Sequence, residues 1–347
     1  MIFSIDAPAL AQTPTTKVTP TPTPLRPVSV PETGVNITLS PTFLSLVTDP
    51  EKEVEGQFKV RNNNNFTEYF ELSLAKFEAA EGGARPLLVP LTSKDEFREW
   101  IEFSEKQFMV EANETKTINV NIEPPKSASL GYYYAILVNR IQDKESESNG
   151  AVVAGAPALL TLLEVKTPNA QRELQVLDFT TEHFIYEYLP TTFSIKVKNN
   201  GNIHTAPVGD IFIDSGKKKN IAILHINEGR GNVLPATERI FSVNWGEGMI
   251  TRVPKEENGS MVRDGKGNVV YETKFDFDKP LSTFRIGKYT ANLLLVYDNG
   301  ERDIPVEATV SFWVIPYKLI LGAILVLFLP VAIIFGALRM KKRKNKK

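Results

Sequence analysis

The 347-residue chain contains no cysteine. That excludes disulfides, thiolate-bound zinc, iron–sulfur clusters and a thiol nucleophile. Any folded part outside a reducing compartment must then be held by its hydrophobic cores alone, which favours domains above about 100 residues. Histidine is scarce as well: His183, His204 and His225 are the complete set. None stands in an H-E-x-x-H or triad-like spacing, and their turn-rich neighbours make each a solvated or capped loop histidine. A net positive charge is found only at the end. The net charge is −1, and the seven cations of residues 339–347 leave −8 for residues 1–338. Phosphate binding needs a basic surface, so no nucleic-acid partner is expected. Lys217-Lys218-Lys219 lacks P-loop spacing, and Asp276-Phe277-Asp278 lacks the glycine and glutamate of a calcium loop; a solvated turn and a polar strand face are the expectations. No catalytic, cofactor-binding or metal-binding residue is nominated. The chain is not expected to be an enzyme or to carry a cofactor.

The one long stretch free of charge is LILGAILVLFLPVAIIFGAL, residues 319–338. A helix rises about 1.5 Å per residue, so twenty residues match the ~30 Å hydrocarbon core of a bilayer. Pro330 is tolerated in such a helix. The basic tail that follows, 339–347, holds no acid. It sets the orientation by the positive-inside rule, with the tail in the cytoplasm and everything before it outside. Trp313 and Tyr317 fall where an outer aromatic belt would sit. The expectation is a single-pass transmembrane helix over 317–338.

Residues 1–12 end in Ala9-Leu10-Ala11, a small-residue cleavage pattern without the preceding basic and apolar regions, and are read as a signal-peptide remnant. Residues 13–35 are a Thr/Pro-rich spacer, in which no apolar face can form. From Asn36 the pattern has period two. Phe58 and Val60, then Phe70, Leu72 and Leu74, then Ile118, Val120 and Ile122 alternate with polar residues and are bounded by turn formers. This is the signature of half-buried antiparallel strands. A second strand-rich unit covers 170–315, where Phe193, Ile195 and Val197 alternate and Asp298-Asn299-Gly300 marks a hairpin.

The units read as copies. Phe58-Lys59-Val60-Arg61-Asn62-Asn63-Asn64 parallels Ile195-Lys196-Val197-Lys198-Asn199-Asn200-Gly201, and Gly131-x-Tyr133 parallels Gly287-x-Tyr289. The offset grows from 137 to 156 between these anchors, which places about 19 extra residues in the second unit, in a protruding hairpin over 249–282. The fold expected is all-β: two tandem Ig-like β-sandwiches of about seven strands each, 36–168 and 170–315, ahead of the helix. The glycine-then-tyrosine feature suggests a tyrosine corner, while the cysteines and core tryptophan of antibody domains are missing. Gly201 is expected at positive φ in its turn.

The order SPTFLSLVTDP, GQFKVRNNNN, WIEFSEKQFMVEANETKTINVNIEPP and GYYYAILV resembles the first domain of bacterial WxL-interacting cell-surface proteins. The resemblance covers about residues 36–166 and the overall layout; the second unit is only generically Ig-like. It implies a bacterial surface protein whose first domain associates with peptidoglycan or a surface-protein partner. The expected role is therefore binding or scaffolding at the cell wall, carried mostly by residues 32–168. The alternative is a structural stalk or accessory subunit that presents another envelope protein.

Overall fold

The computed structural model describes residues 36–141 except 81 and 84, and 156–344 except 247, 258, 281 and 282; for 331–333 and 336–344 it describes the backbone alone. The expected signal-peptide remnant and the Thr/Pro spacer lie outside the described residues.

Alternation becomes strands. The first unit contains β1 (Ile37–Ser40), β2 (Phe43–Thr48), β3 (Val54–Asn62), β4 (Glu68–Ala79), β5 (Pro86–Val89), β6 (Ile101–Phe103), β7 (Gln107–Val110), β8 (Thr115–Ile122), β9 (Leu130–Arg140) and β10 (Ala158–Val165). One sheet runs β1-β3-β8-β6 and the other β2-β10-β9-β4-β5, with β7 on β4. The second unit contains β11 (Leu174–Thr181), β12 (Ile185–Tyr186), β13 (Thr191–Asn199), β14 (Val208–Ser215), β15 (Lys218–Ile226) and β16 (Glu238–Trp245). After an insertion it closes with β21 (Gly287–Asp298) and β22 (Asp303–Val314). Its sheets run β11-β13-β16 and β12-β22-β21-β14-β15. The insertion holds two small ribbons, β17 (Ile250–Pro254) with β20 (Tyr271–Phe275), and β18 (Glu256–Glu257) with β19 (Ser260–Met261).

In both units the opening strand is split. Its first half pairs antiparallel in one sheet, and its second half runs parallel to the last strand in the other. This is Ig-like strand order, written twice. Splitting that strand and adding short edge strands raises the count above seven. Inward side chains of facing sheets build each core. Phe58, Val60, Ile118, Val120, Ile136 and Val138 are fully buried in the first, and Phe193, Ile195, Ile211, Leu295 and Phe312 in the second. The second core does contain a buried tryptophan, Trp245 on β16, ringed by Tyr289 and Phe312. The first holds a buried ion pair between Glu68 and Arg140, with Asn64 Nδ2 donating to the same carboxylate at 2.7 Å.

The asparagine turns repeat atom for atom. Asn62 and Asn199, 137 residues apart, are both wholly buried at a strand end. Each amide nitrogen donates to the carbonyl four residues on, Phe66 or Ile203, at 2.8 Å in both. Each also donates across the sandwich, to Val110 or Val233, at 3.1 and 2.9 Å. Each side-chain oxygen accepts from the N–H two residues ahead, at 2.9 and 2.8 Å.

The second anchor slips by one residue. Tyr134, Ile136 and Val138 face the first core, whereas Tyr289, Ala291, Leu293 and Leu295 face the second. Faces alternate along a strand, so Tyr289 corresponds to Tyr132 and not to Tyr133. The hydroxyls agree: Tyr132 Oη accepts from Ser129 N, and Tyr289 Oη donates to the Ile286 carbonyl, each three residues upstream. These are the corner-like tyrosines. The offset is 157, and Tyr133 is freed for another task.

Two residues after β22 the chain enters α1 (Tyr317–Lys344), 28 residues long with Pro330 inside. The helix runs past residue 338 into the basic segment, because lysine and arginine are good helix formers and no breaker intervenes there. Among the described residues no helix is long and apolar enough to cross a membrane. Described side chains of α1 end at Pro330, apart from Ile334 and Phe335, so much of the apolar run lies outside them.

Candidate functional site: the cleft between the sandwiches

Tyr133 points out of the first sandwich and touches the second. The backbone N–H of His204 donates to Tyr133 Oη at 3.1 Å, and Nδ1 of the same histidine lies 3.3 Å from that oxygen. The phenol oxygen accepts the first bond, and Nδ1 stands within hydrogen-bonding distance of it. Burial pushes the His204 pKa down to about 4 and raises that of Tyr133. Beside them Glu164, at the end of β10, pairs with Arg172 of the linker. A third tie joins Ile240 N–H of β16 to the Gly82 carbonyl at 3.1 Å. Here Gly83 is required: its φ is +65°, and a Cβ would stand 2.3 Å from the Glu238 carbonyl oxygen.

Next to this joint is a cavity of about 310 Å³ with walls from both units. Phe43, Phe77, Leu160 and Leu162 come from the outer face of the β2-β10-β9-β4 sheet; Val233 and Leu234 come from the loop before β16. Arg85, Arg230 and Arg239 line the same space, with Glu78. Arg239 Nη1 donates to the Asn232 carbonyl at 2.7 Å, and the guanidinium lies over Phe241, 5.2 Å from the ring centre. Burial lowers its pKa. Among the described residues none of the three guanidiniums forms an ion pair with a carboxylate. Guanidiniums beside an apolar wall suit a carboxylate or phosphate carried on an apolar body. The volume falls at the small end of ligand pockets.

Of the residues weighed from sequence, His204 departs from expectation: it is buried at a domain joint and not solvated. No sequence signal marks that, since its neighbour in space lies 71 positions away. His183 is exposed beside Glu182, and His225, in β15, contacts Asp210 at 2.7 Å. In the triple-lysine turn Lys219 pairs with Asp214 at 2.7 Å. Among the described residues no three His, Asp or Glu side chains form a metal-ligand group. Tyr134 is buried and stacked on Phe97 at 5.1 Å, and Tyr132 packs edge-on to Trp100 at 4.9 Å. The cleft arginines were missed; Gly229-Arg230-Gly231 was the faint signal available.

No protein-family model matches the chain, and no curated protein does. Solved structures similar to it include the class 5 fimbriae chaperone CfaA, at 12% identity and TM-score 0.36, over 79% of this chain and 98% of that one. The YadV chaperone follows at 10% identity and TM-score 0.33, over 79% and 99%. The Pseudomonas aeruginosa CupB2 chaperone shows 8% identity and TM-score 0.32, over 80% and 100%. Similarity this weak says nothing about activity or partners.

Proposed function

We propose that this is a membrane-anchored bacterial surface protein that binds or scaffolds at the cell wall, taking carboxylate-bearing peptidoglycan or a surface-protein partner in the cleft between its sandwiches. The observation that carries the reading is the cavity itself: three guanidiniums without a carboxylate partner among the described residues, set against an apolar wall. Because both units line it, binding belongs to the pair and not to residues 32–168 alone. The resemblance of 36–166 to WxL-interacting proteins points the same way. In this reading α1 spans the membrane through its charge-free residues 319–338, with 339–347 in the cytoplasm. Sedimentation of the soluble part, residues 32–315, with purified peptidoglycan, and its co-purification from envelope extracts, test the binding. A charge-assisted hydrogen bond contributes about 1.5–3 kcal/mol, so Arg239→Gln should weaken capture roughly tenfold or more. Capture that Arg85→Gln, Arg230→Gln and Arg239→Gln together leave unchanged refutes the cleft.

One set of contacts favours the stalk reading instead. The Tyr133–His204 and Glu164–Arg172 contacts fix one sandwich on the other, and only Ile315 and Pro316 separate β22 from α1. A rigid post of this kind presents something else. Failure of residues 32–315 to retain either wall or envelope protein would favour it.

A further inference from the structure

The end of the second sandwich from which α1 leaves is unusually apolar. Phe184 is 63% exposed, Ile185 56%, Ile286 47%, Trp313 37% and Tyr317 49%. They come from separate stretches of chain and are gathered by the sheet. Ile185 pairs with Trp313 across β12 and β22, and Trp313 N–H donates to the Phe184 carbonyl at 2.8 Å. Ile286 immediately precedes Gly287, which pairs with Val314. Lys288, exposed, stands across from Trp313. The helix starts directly beside this surface. Ile315 N–H bonds the Tyr186 carbonyl at 2.7 Å, Ile320 N–H bonds the Pro316 carbonyl at 3.0 Å, and Lys318 Nζ pairs with Glu187 at 2.8 Å.

We infer that this collar is a lipid-contacting surface: the base of the second sandwich rests in the headgroup–acyl boundary of the bilayer that α1 enters. The inference rests on the reading that α1 spans a membrane. Aromatic rings with a polar edge, aliphatic side chains and a lysine at one level are the composition that boundary favours. In water the same group would be a wasteful exposed patch. The occupant is a lipid surface because the collar is continuous with the start of α1, to which Ile315 N–H and Lys318 tie it. A protein partner docking there would have to share the space with the membrane.

The absence of cysteine allows a single spin label to be placed by substitution. Ile185→Cys and Ile286→Cys report the collar; Leu325→Cys lies eight residues into α1, about 12 Å along its axis. Asp303→Cys marks the opposite end of β22. All four side chains are exposed, so the fold should tolerate the changes. The full chain is reconstituted in phosphatidylcholine–phosphatidylglycerol vesicles, and collisions of each label with oxygen and with a polar nickel chelate are compared. The expected result is an oxygen-to-nickel ratio at 185 and 286 several-fold above that at 303 and below that at 325. Ratios at 185 and 286 equal to 303, with 325 immersed, overturn the collar and leave the span standing. A ratio at 325 equal to 303 overturns the span and the collar with it.

Discussion

Gly201 was expected to need positive φ, and it does not: its φ lies outside the left-handed region. The glycine is required for a different reason. A Cβ at 201 would stand 2.2 Å from the carbonyl oxygen of Gln171 and 2.9 Å from the backbone nitrogen of Glu173. Both belong to the strand of linker joining the sandwiches. That linker is stitched to the turn by Asn202 N–H to Gln171 O at 2.9 Å, Gln171 N–H to Asn202 Oδ1 at 2.7 Å, and Asn200 N–H to Glu173 O at 2.8 Å. Gly201→Ala must push the two backbones apart by about 1 Å, since carbon contacts settle near 3.5 Å. Two or three of these bonds then lengthen out of range. At about 0.5–1 kcal/mol each, water replacing part of the loss, the cost is about 1–3 kcal/mol. Against it stands a gain of about 0.4–1 kcal/mol from stiffening the unfolded chain. A net loss of about 1–2 kcal/mol is expected in urea unfolding of the second unit, read through buried Trp245. Gly201→Asn separates the two explanations, because asparagine tolerates left-handed backbone and relieves no crowding. A Gly201→Ala protein as stable as wild type, or an Asn variant far milder than the Ala one, would refute the close-approach argument.

Arg140→Met strands the Glu68 carboxylate, whose side chain is 0% exposed. A loss of about 3–5 kcal/mol is expected in denaturant unfolding, and adding Glu68→Gln should return much of it. His204 must stay neutral to keep its place, with a pKa of about 4 against an unfolded value of 6.5. Stability is therefore fully present above pH 6.5 and falls as pH drops towards 4, by up to about 3 kcal/mol at ~1.36 kcal/mol per unit; a stability–pH curve for His204→Gln should lose that slope. Asn62→Ala and Asn199→Ala each remove two side-chain donations to backbone carbonyls and the acceptor of the N–H two residues on. Each should cost its own unit about 2–4 kcal/mol, with unfolding midpoints moving by similar amounts in the two units.

Most of the sheet was legible because alternation is a local signal. Phe58 and Val60 announce an inward face whatever they pack against. The repeated asparagines were legible as a turn but not as buried hubs, because their acceptors at Val110 and Val233 are distant in sequence. The Gly-x-Tyr match misled through its shortness. One residue of slip exchanges the faces of a strand, and two glycines before two tyrosines cannot report which face is inside. The cleft was illegible for a deeper reason. Arg85, Arg230 and Arg239 come from two units, and only the angle between the sandwiches brings them together. The apolar collar was half legible: Trp313 and Tyr317 adjoin the helix in sequence, while Phe184, Ile185 and Ile286 reach it only through strand pairing.

Where the two copies part company, they reveal the joint. With an offset of 137, Asn64 in the first turn corresponds to Gly201 in the second, and Thr67 to His204. Asn64 uses its amide to hold Glu68, inside its own unit. At Gly201 no side chain fits, because the linker lies against that turn. Among the described residues Thr67 has no hydrogen bond to the other sandwich, while His204 N–H donates to Tyr133. The asparagine two positions earlier in each turn is unchanged and keeps three hydrogen bonds in common, Asn62 adding one to the Glu111 carbonyl at 3.2 Å. The hub asparagine is kept, and of the positions where the turns differ, 201 and 204 face the neighbouring unit. A free, flexible pair of domains would place no such demand on the second copy. The departures at 201 and 204 thus argue, independently of any single contact distance, that the sandwiches are built to meet at a fixed angle, and it is this angle that holds the three arginines around one cavity.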